Sequence, residues 1–182
     1  MHRQIVIICF FAISFIGVRG QNTAIKTNLL YDLIGVASLG VETKMSNKST
    51  ISLMATYNPL KYGNAKWKNY SFQPEYRHWF RQAFKGAYIS VNACGGGFNI
   101  DNVHIGGLHG KQRQGYFFGA GIGGGYNLMI SSRCSFDFSI AIEYLRCRYD
   151  RYRYGEMPYY EGRFTSNILF PLGTGIAFTY NL

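Results

Sequence analysis

The chain has 182 residues, with 19 Lys+Arg against 9 Asp+Glu for a net charge of +10, only 15% charged residues, 17% aromatics and 22 glycines. So many aromatics exclude intrinsic disorder, the length excludes two large domains, and Gly, Tyr and Phe stand where a helical bundle needs Ala, Leu, Glu and Lys. A small all-β protein remains.

The N-terminus reads as a secretory signal peptide over residues 1–20. Met1 to Gln4 is a short basic start, Ile5 to Gly17 is an apolar run, and Val18 and Gly20 suit the −3 and −1 positions of a cleavage site. The run is shorter than the roughly 20 residues of a spanning helix. Cys9 lies inside the apolar run rather than at the cleavage point, which disfavours a lipoprotein. Cleavage leaves residues 21–182 as one domain, with 17 basic against 9 acidic residues and a net charge of +8. No later apolar run is long enough to cross a membrane as a helix.

From there the dominant signal is period-2 alternation. It predicts eight strands near residues 24–32, 37–45, 50–58, 67–80, 87–99, 113–129, 134–148 and 163–182. The clearest is 135–144, where Phe136, Phe138, Ile140, Ile142 and Tyr144 share one face and Ser135, Asp137, Ser139, Ala141 and Glu143 the other. In 116–128, bulky Tyr116, Phe118, Ile122, Tyr126 and Leu128 alternate with a face that is mainly glycine. Pro171 cannot donate to a ladder, so a bulge is expected in the last strand. Residues 46–49, 81–86 and 130–133 read as short turns at one end. Residues 59–66, 100–112 and 149–162 read as longer loops at the other, where only 33–36 is short. This asymmetry, with an even strand count, predicts an all-β, eight-stranded antiparallel up-and-down transmembrane β-barrel.

Alternation alone does not say which face meets lipid. Three features favour the bulky face. Small residues suit the interior of a narrow barrel. The polar faces carry few charges, of both signs: Lys26, Glu42, Lys44, Glu75, Arg77, Asp137, Glu143 and Arg163. Such a mix suits a paired interior network. Tyr57, Tyr62, Trp67, Tyr70, Trp79, Tyr88, Tyr144 and Tyr149 fall near strand ends, where aromatic girdles are expected.

Several segments in order resemble a known family: Lys26 to Asp32, Leu39 to Glu42, Tyr57 to Pro59, Lys66-Trp67, Gln73 to Arg77 and Gly115 to Gly121. Together they are similar to the Bacteroidetes family called domain of unknown function 3575, over nearly all of residues 21–182. The resemblance implies a small outer-membrane β-barrel and, through fimbrial or surface-assembly genes near some members, a surface or fimbrial assembly partner. It implies no catalytic residue.

The remaining motifs carry little chemistry. Cys134 and Cys147 stand at opposite ends of one predicted strand, roughly 40 Å apart, and Cys94 is mid-strand, so free buried thiols are expected. No CxxC or Cys/His spacing suggests zinc, and no metal or cofactor is expected. Gly121 to Gly125 lacks the Lys-Ser/Thr of a phosphate loop and lies in strand periodicity. His104 and His109 share a loop with Asp101, which leaves open an enzyme acting on membrane lipid, the histidine serving as general base. The Arg-Tyr stretch from Arg146 to Tyr154 could stack on nucleic acid, but export makes that partner unexpected. At an outer rim, Arg148, Arg151 and Arg153, with Lys111 and Arg113, could instead contact lipopolysaccharide phosphates.

The leading expectation is a non-enzymatic outer-membrane protein of a Gram-negative envelope. Its role would be structural or at the cell surface, in envelope integrity, adhesion or fibre assembly. The alternatives are the lipid-modifying enzyme and a soluble periplasmic barrel holding a small apolar ligand.

Overall fold

A computed structural model describes residues 22–62, 65–101, 111–153 and 159–182. The chain is almost entirely antiparallel strand: β1 Thr23–Asn28, β2 Ala37–Ser46, β3 Ser49–Asn58, β4 Lys61–Tyr62, β5 Ala65–Trp79, β6 Gly86–Asp101, β7 Lys111–Met129, β8 Cys134–Arg153, β9 Tyr159–Phe170 and β10 Gly175–Asn181. A single short helix, α1, spans Leu29–Leu33. Apart from β4, a two-residue strand folded back on β5, and β9 and β10, which both pair with β8, neighbours in sequence are neighbours in the sheet. β10 pairs with both β1 and β8, which closes the sheet into a ring.

The alternating faces keep their expected sides along β7 and β8. Ile122 and Ile140 are each 71% exposed, Leu169 on β9 is 72% exposed, and Ile25, Leu53, Phe72, Ile89, Val91 and Phe118 continue the exposed apolar face around the ring. The opposite face is buried and mostly polar, with Lys26, Glu42, Thr50, Ser71, Arg77, Asn92, Asp137 and Glu143 inside. The glycine stripe of β7 lies on the inner side, where the strands approach too closely for a side chain. A Cβ at Gly121 would stand 2.5 Å from the Ile142 carbonyl oxygen and 2.6 Å from Glu143 Cγ.

Three local departures from the alternation have identifiable causes. Residues 29–33 form α1 rather than the end of the first strand. Asn28 caps it, its Oδ1 accepting from Leu30 N at 3.1 Å. Asp32 then accepts from Thr27 Oγ1 at 2.5 Å and from Ser38 N at 3.2 Å, and Gly35, at φ +82°, turns the chain into β2. The last strand is two strands, β9 and β10, both paired with β8, separated at Pro171 to Thr174. On β5, the pairing with β6 passes from Phe72↔Gly95 to Glu75↔Asn92 with no partners at 73 and 74, where Pro74 lacks an N–H.

The short turns at 46–49 and 130–133 lie between paired strands as expected, and Phe80 to Lys85 closes the third with a Gln82↔Lys85 bridge. At the opposite end the strands run further than expected. β7 and β8 pair as far as Lys111↔Arg153, so much of the expected loop sequence is sheet.

Candidate functional site

The interior of the ring has three levels, counted from the end that holds the short turns. The first is an aromatic stopper. Trp79 is fully buried and packs on Tyr88 with ring centroids 4.7 Å apart, beside Ala83 and Phe84. Trp79 donates from Nε1 to Thr50 Oγ1 at 3.0 Å, and the Tyr88 hydroxyl donates to Asp137 Oδ1 at 2.8 Å. Trp79 and Tyr88 were expected on outer girdles. They fall inside because the pleat places them on the face of Arg77 and Ser90, and each finds there a polar partner for its one polar atom.

The second level is an ion network. Lys26 Nζ lies 3.1 Å from Glu42 Oε2 and 3.9 Å from Glu75 Oε2. The Arg77 guanidinium reaches Glu42 at 3.3 Å, Glu75 at 2.8 Å and Asp137 at 2.5 Å, and its Cζ stands 4.3 Å from the Tyr88 ring centre. Two cations thus face three carboxylates taken from β1, β2, β5 and β8. Buried charges are tolerated only when paired in this way. Lys44 shares the inner face of β2 but is half-buried near the turn and forms no ion pair among the described residues.

Arg163 does not belong to this interior set. It pairs with Asp150 at 3.0 Å on the outer face of β8 and β9, and its side chain is 75% exposed. The split of the last strand explains the error. Pro171 to Thr174 breaks the period, so alternation counted back from Leu182 does not carry through to 163.

The third level begins at that interruption. Glu143 is buried on β8 and accepts Leu172 N–H at 2.7 Å, Gly173 N–H at 3.0 Å, and the side-chain amides of Gln73 and Asn92 at 3.1 Å each. It stands in the interior as expected, yet it forms no ion pair among the described residues. Its partners are amides, four donors drawn onto one carboxylate. The Tyr31 hydroxyl of α1 donates to the Leu172 carbonyl, and Thr174 Oγ1 bonds to both the N–H and the C=O of Ala141 at 3.0 and 3.1 Å. The segment is thereby held inside the ring as a partition.

Beyond the partition the interior turns apolar. Cys94, Phe117, Leu145 and Cys147 form a buried cluster, with Phe98, Tyr149 and Leu172 packed against it. All three described cysteines are free, and Cys134 is half-buried rather than buried. A cavity of about 250 Å³ adjoins this cluster, with Trp67, Arg113, Ile168 and Phe170 also on its wall. Trp67 and Tyr149, both expected on outer girdles, therefore face inward.

The cations expected at an outer rim are divided by the same pleat. Arg148 is exposed on the outside. Lys111, Arg113, Arg151 and Arg153 share the inner face at the mouth above the cavity, in direct register as Lys111↔Arg153 and Arg113↔Arg151. Strand geometry accounts for the split: Arg151 and Arg153, two positions apart in β8, point the same way, and Arg148, three positions from Arg151, points the other. Arg113 lies 5.4 Å over the Tyr149 ring and Arg151 lies 3.9 Å over the Phe164 ring. The Arg151 and Arg153 side chains pair with Glu161 on β9, Arg153 at 3.9 Å.

His104 and His109 lie outside the described residues. Asp101 is buried and pairs with Lys66 at 3.2 Å. Among the described residues no group of three or more His, Cys, Asp or Glu side chains is placed to hold a metal ion.

Sequence reasoning missed the partition and the apolar chamber. Pro171 signalled the break, but nothing local showed that the segment folds inward onto Glu143. No curated protein and no solved structure matches the chain. The family model described as Protein of unknown function (DUF3575) matches residues 5–182, nearly the whole chain, and the protein belongs to that family.

Proposed function

We propose that residues 21–182, exported after cleavage of residues 1–20, form an eight-stranded β-barrel in the outer membrane of a Gram-negative bacterium. Setting aside the two-residue β4 and counting β9 and β10 as two halves of one interrupted strand gives eight strands, with both chain ends on the short-turn side. The carrying observation is the inverted polarity of the ring. Its outside presents a belt of exposed Ile, Leu, Val and Phe on successive strands, and its inside holds the five paired side chains of the ion network. A water-facing surface with that much contiguous apolar area would aggregate. A lipid-facing one needs it. Tyr57 and Tyr70, exposed and directly opposite each other on β3 and β5, and Tyr116 on β7 fit an interfacial girdle on the loop side.

The stopper and the partition fill the interior, so the barrel is not a diffusion pore. The role that fits is non-enzymatic, in envelope structure or as a surface platform for adhesion or fibre assembly. Separation of inner- and outer-membrane fractions tests the location. The protein is expected in the outer-membrane fraction, extractable only with detergent, and faster on a gel unboiled than boiled. Recovery in the soluble periplasm would overturn the reading.

A further inference from the structure

We infer that the loop-side chamber is a binding site for one acyl chain carrying an anionic head group. The apolar part of the argument is the cavity of about 250 Å³ between the partition and the mouth, walled by Phe98, Phe117, Leu145, Cys147 and Leu172. That is close to the lower end of small-ligand pockets, roughly 300–1,000 Å³. A flexible chain fits such a space without a rigid frame. The charged part is the mouth, where Lys111, Arg113, Arg151 and Arg153 stand on the inner face and, among the described residues, are paired only with the carboxylate of Glu161. An anion is the complement of that excess.

Two unpartnered polar atoms belong to residues of the cavity wall. Arg113 Nε and Asn69 Oδ1 have no hydrogen-bond partner among the described residues, and both residues line the cavity. A buried guanidinium donor without an acceptor is costly. A carboxylate or phosphate head group supplies the acceptor for Arg113, and a head-group hydroxyl supplies a donor for Asn69.

The wall also offers a route. Among the described residues β9 pairs only with β8, so its other edge carries no strand partner along Tyr159–Phe170, and α1 stands where β1 would continue. An unpaired edge does not occur facing lipid tails. At the head-group level of the outer leaflet, where water reaches the unpaired backbone groups, it marks a lateral opening through which a chain passes from the membrane. The route rests on the membrane reading, whereas the chamber and its cations do not.

The two tryptophans give the test, because Trp67 is on the cavity wall and Trp79 is at the far end. The probe is 9,10-dibromostearate, added to the detergent-folded protein. In Trp79→Phe, which leaves Trp67 as reporter, quenching is expected to saturate at one equivalent. In Trp67→Phe, Trp79 is expected to stay unquenched. Cys147→Phe fills the cavity and is expected to abolish the saturable part, and Arg113→Gln to weaken binding about tenfold. Displacement by palmitate identifies a free acid as the better ligand, and displacement by lysophosphatidylglycerol a phospholipid. Heat-modifiable migration of each variant separates failure of the fold from failure of the site. Quenching that never saturates in folded protein, or is unchanged in Cys147→Phe, overturns the proposal. So does displacement by hexadecanol as effective as that by palmitate.

Discussion

Arg77 is the residue on which the interior charge balance turns. With Lys26 it offsets Glu42, Glu75 and Asp137. Arg77→Met leaves three buried carboxylates against one ammonium and is expected to destabilise the protein by about 3–5 kcal/mol. Glu75→Gln leaves two cations against two carboxylates and is expected to cost about 1.5–3 kcal/mol, the range of a lost charged hydrogen bond. Urea titration of the folded protein, followed by its unboiled gel band, measures both. Equal losses in the two variants would mean that packing rather than charge balance sets the cost.

The element that defines the interior is the short inward segment Pro171 to Thr174. Its N–H groups at Leu172 and Gly173 both end on Glu143. Glu143→Ala removes the acceptor of four donors, and the two backbone N–H groups alone account for an expected loss of about 2–6 kcal/mol. Amide exchange at Leu172 and Gly173 is expected to accelerate, while β8 stays protected. On β7, Gly121→Val drives a side chain into the Ile142 carbonyl and the Glu143 stem, and the folded band is expected to be lost. The strands themselves were legible in the sequence. Their inside and outside follow from a period of two that survives along β7 and β8 without a break. What was hidden depends on contacts between elements far apart in sequence. The place of Arg163 required knowing that the last strand is interrupted. The division of Arg148 from Arg151 and Arg153 required knowing that β8 continues to Arg153. The inward turn of Trp79 and Tyr88 follows from the same period of two that puts Arg77 and Ser90 inside, but their hydrogen-bond partners Thr50 and Asp137 come from β3 and β8 and were not legible.

At the scale of the whole molecule, the same ring closes the sheet, removes strand edges along most of its length and sets the two surfaces apart. A charge placed on the outer belt is therefore expected to cost what it costs in hydrocarbon. Ile122→Arg, near the middle of β7, is expected to lose about 2–4 kcal/mol of stability in lipid vesicles. The most direct test of the central claim, that the outer belt meets lipid, is a collision measurement on nitroxide labels at positions 122 and 140 in a cysteine-free background, with the protein in lipid vesicles. Both labels are expected to collide more with dissolved oxygen, which concentrates in hydrocarbon, than with a water-soluble nickel chelate. Preferential collision with the nickel chelate at both positions would contradict the membrane barrel.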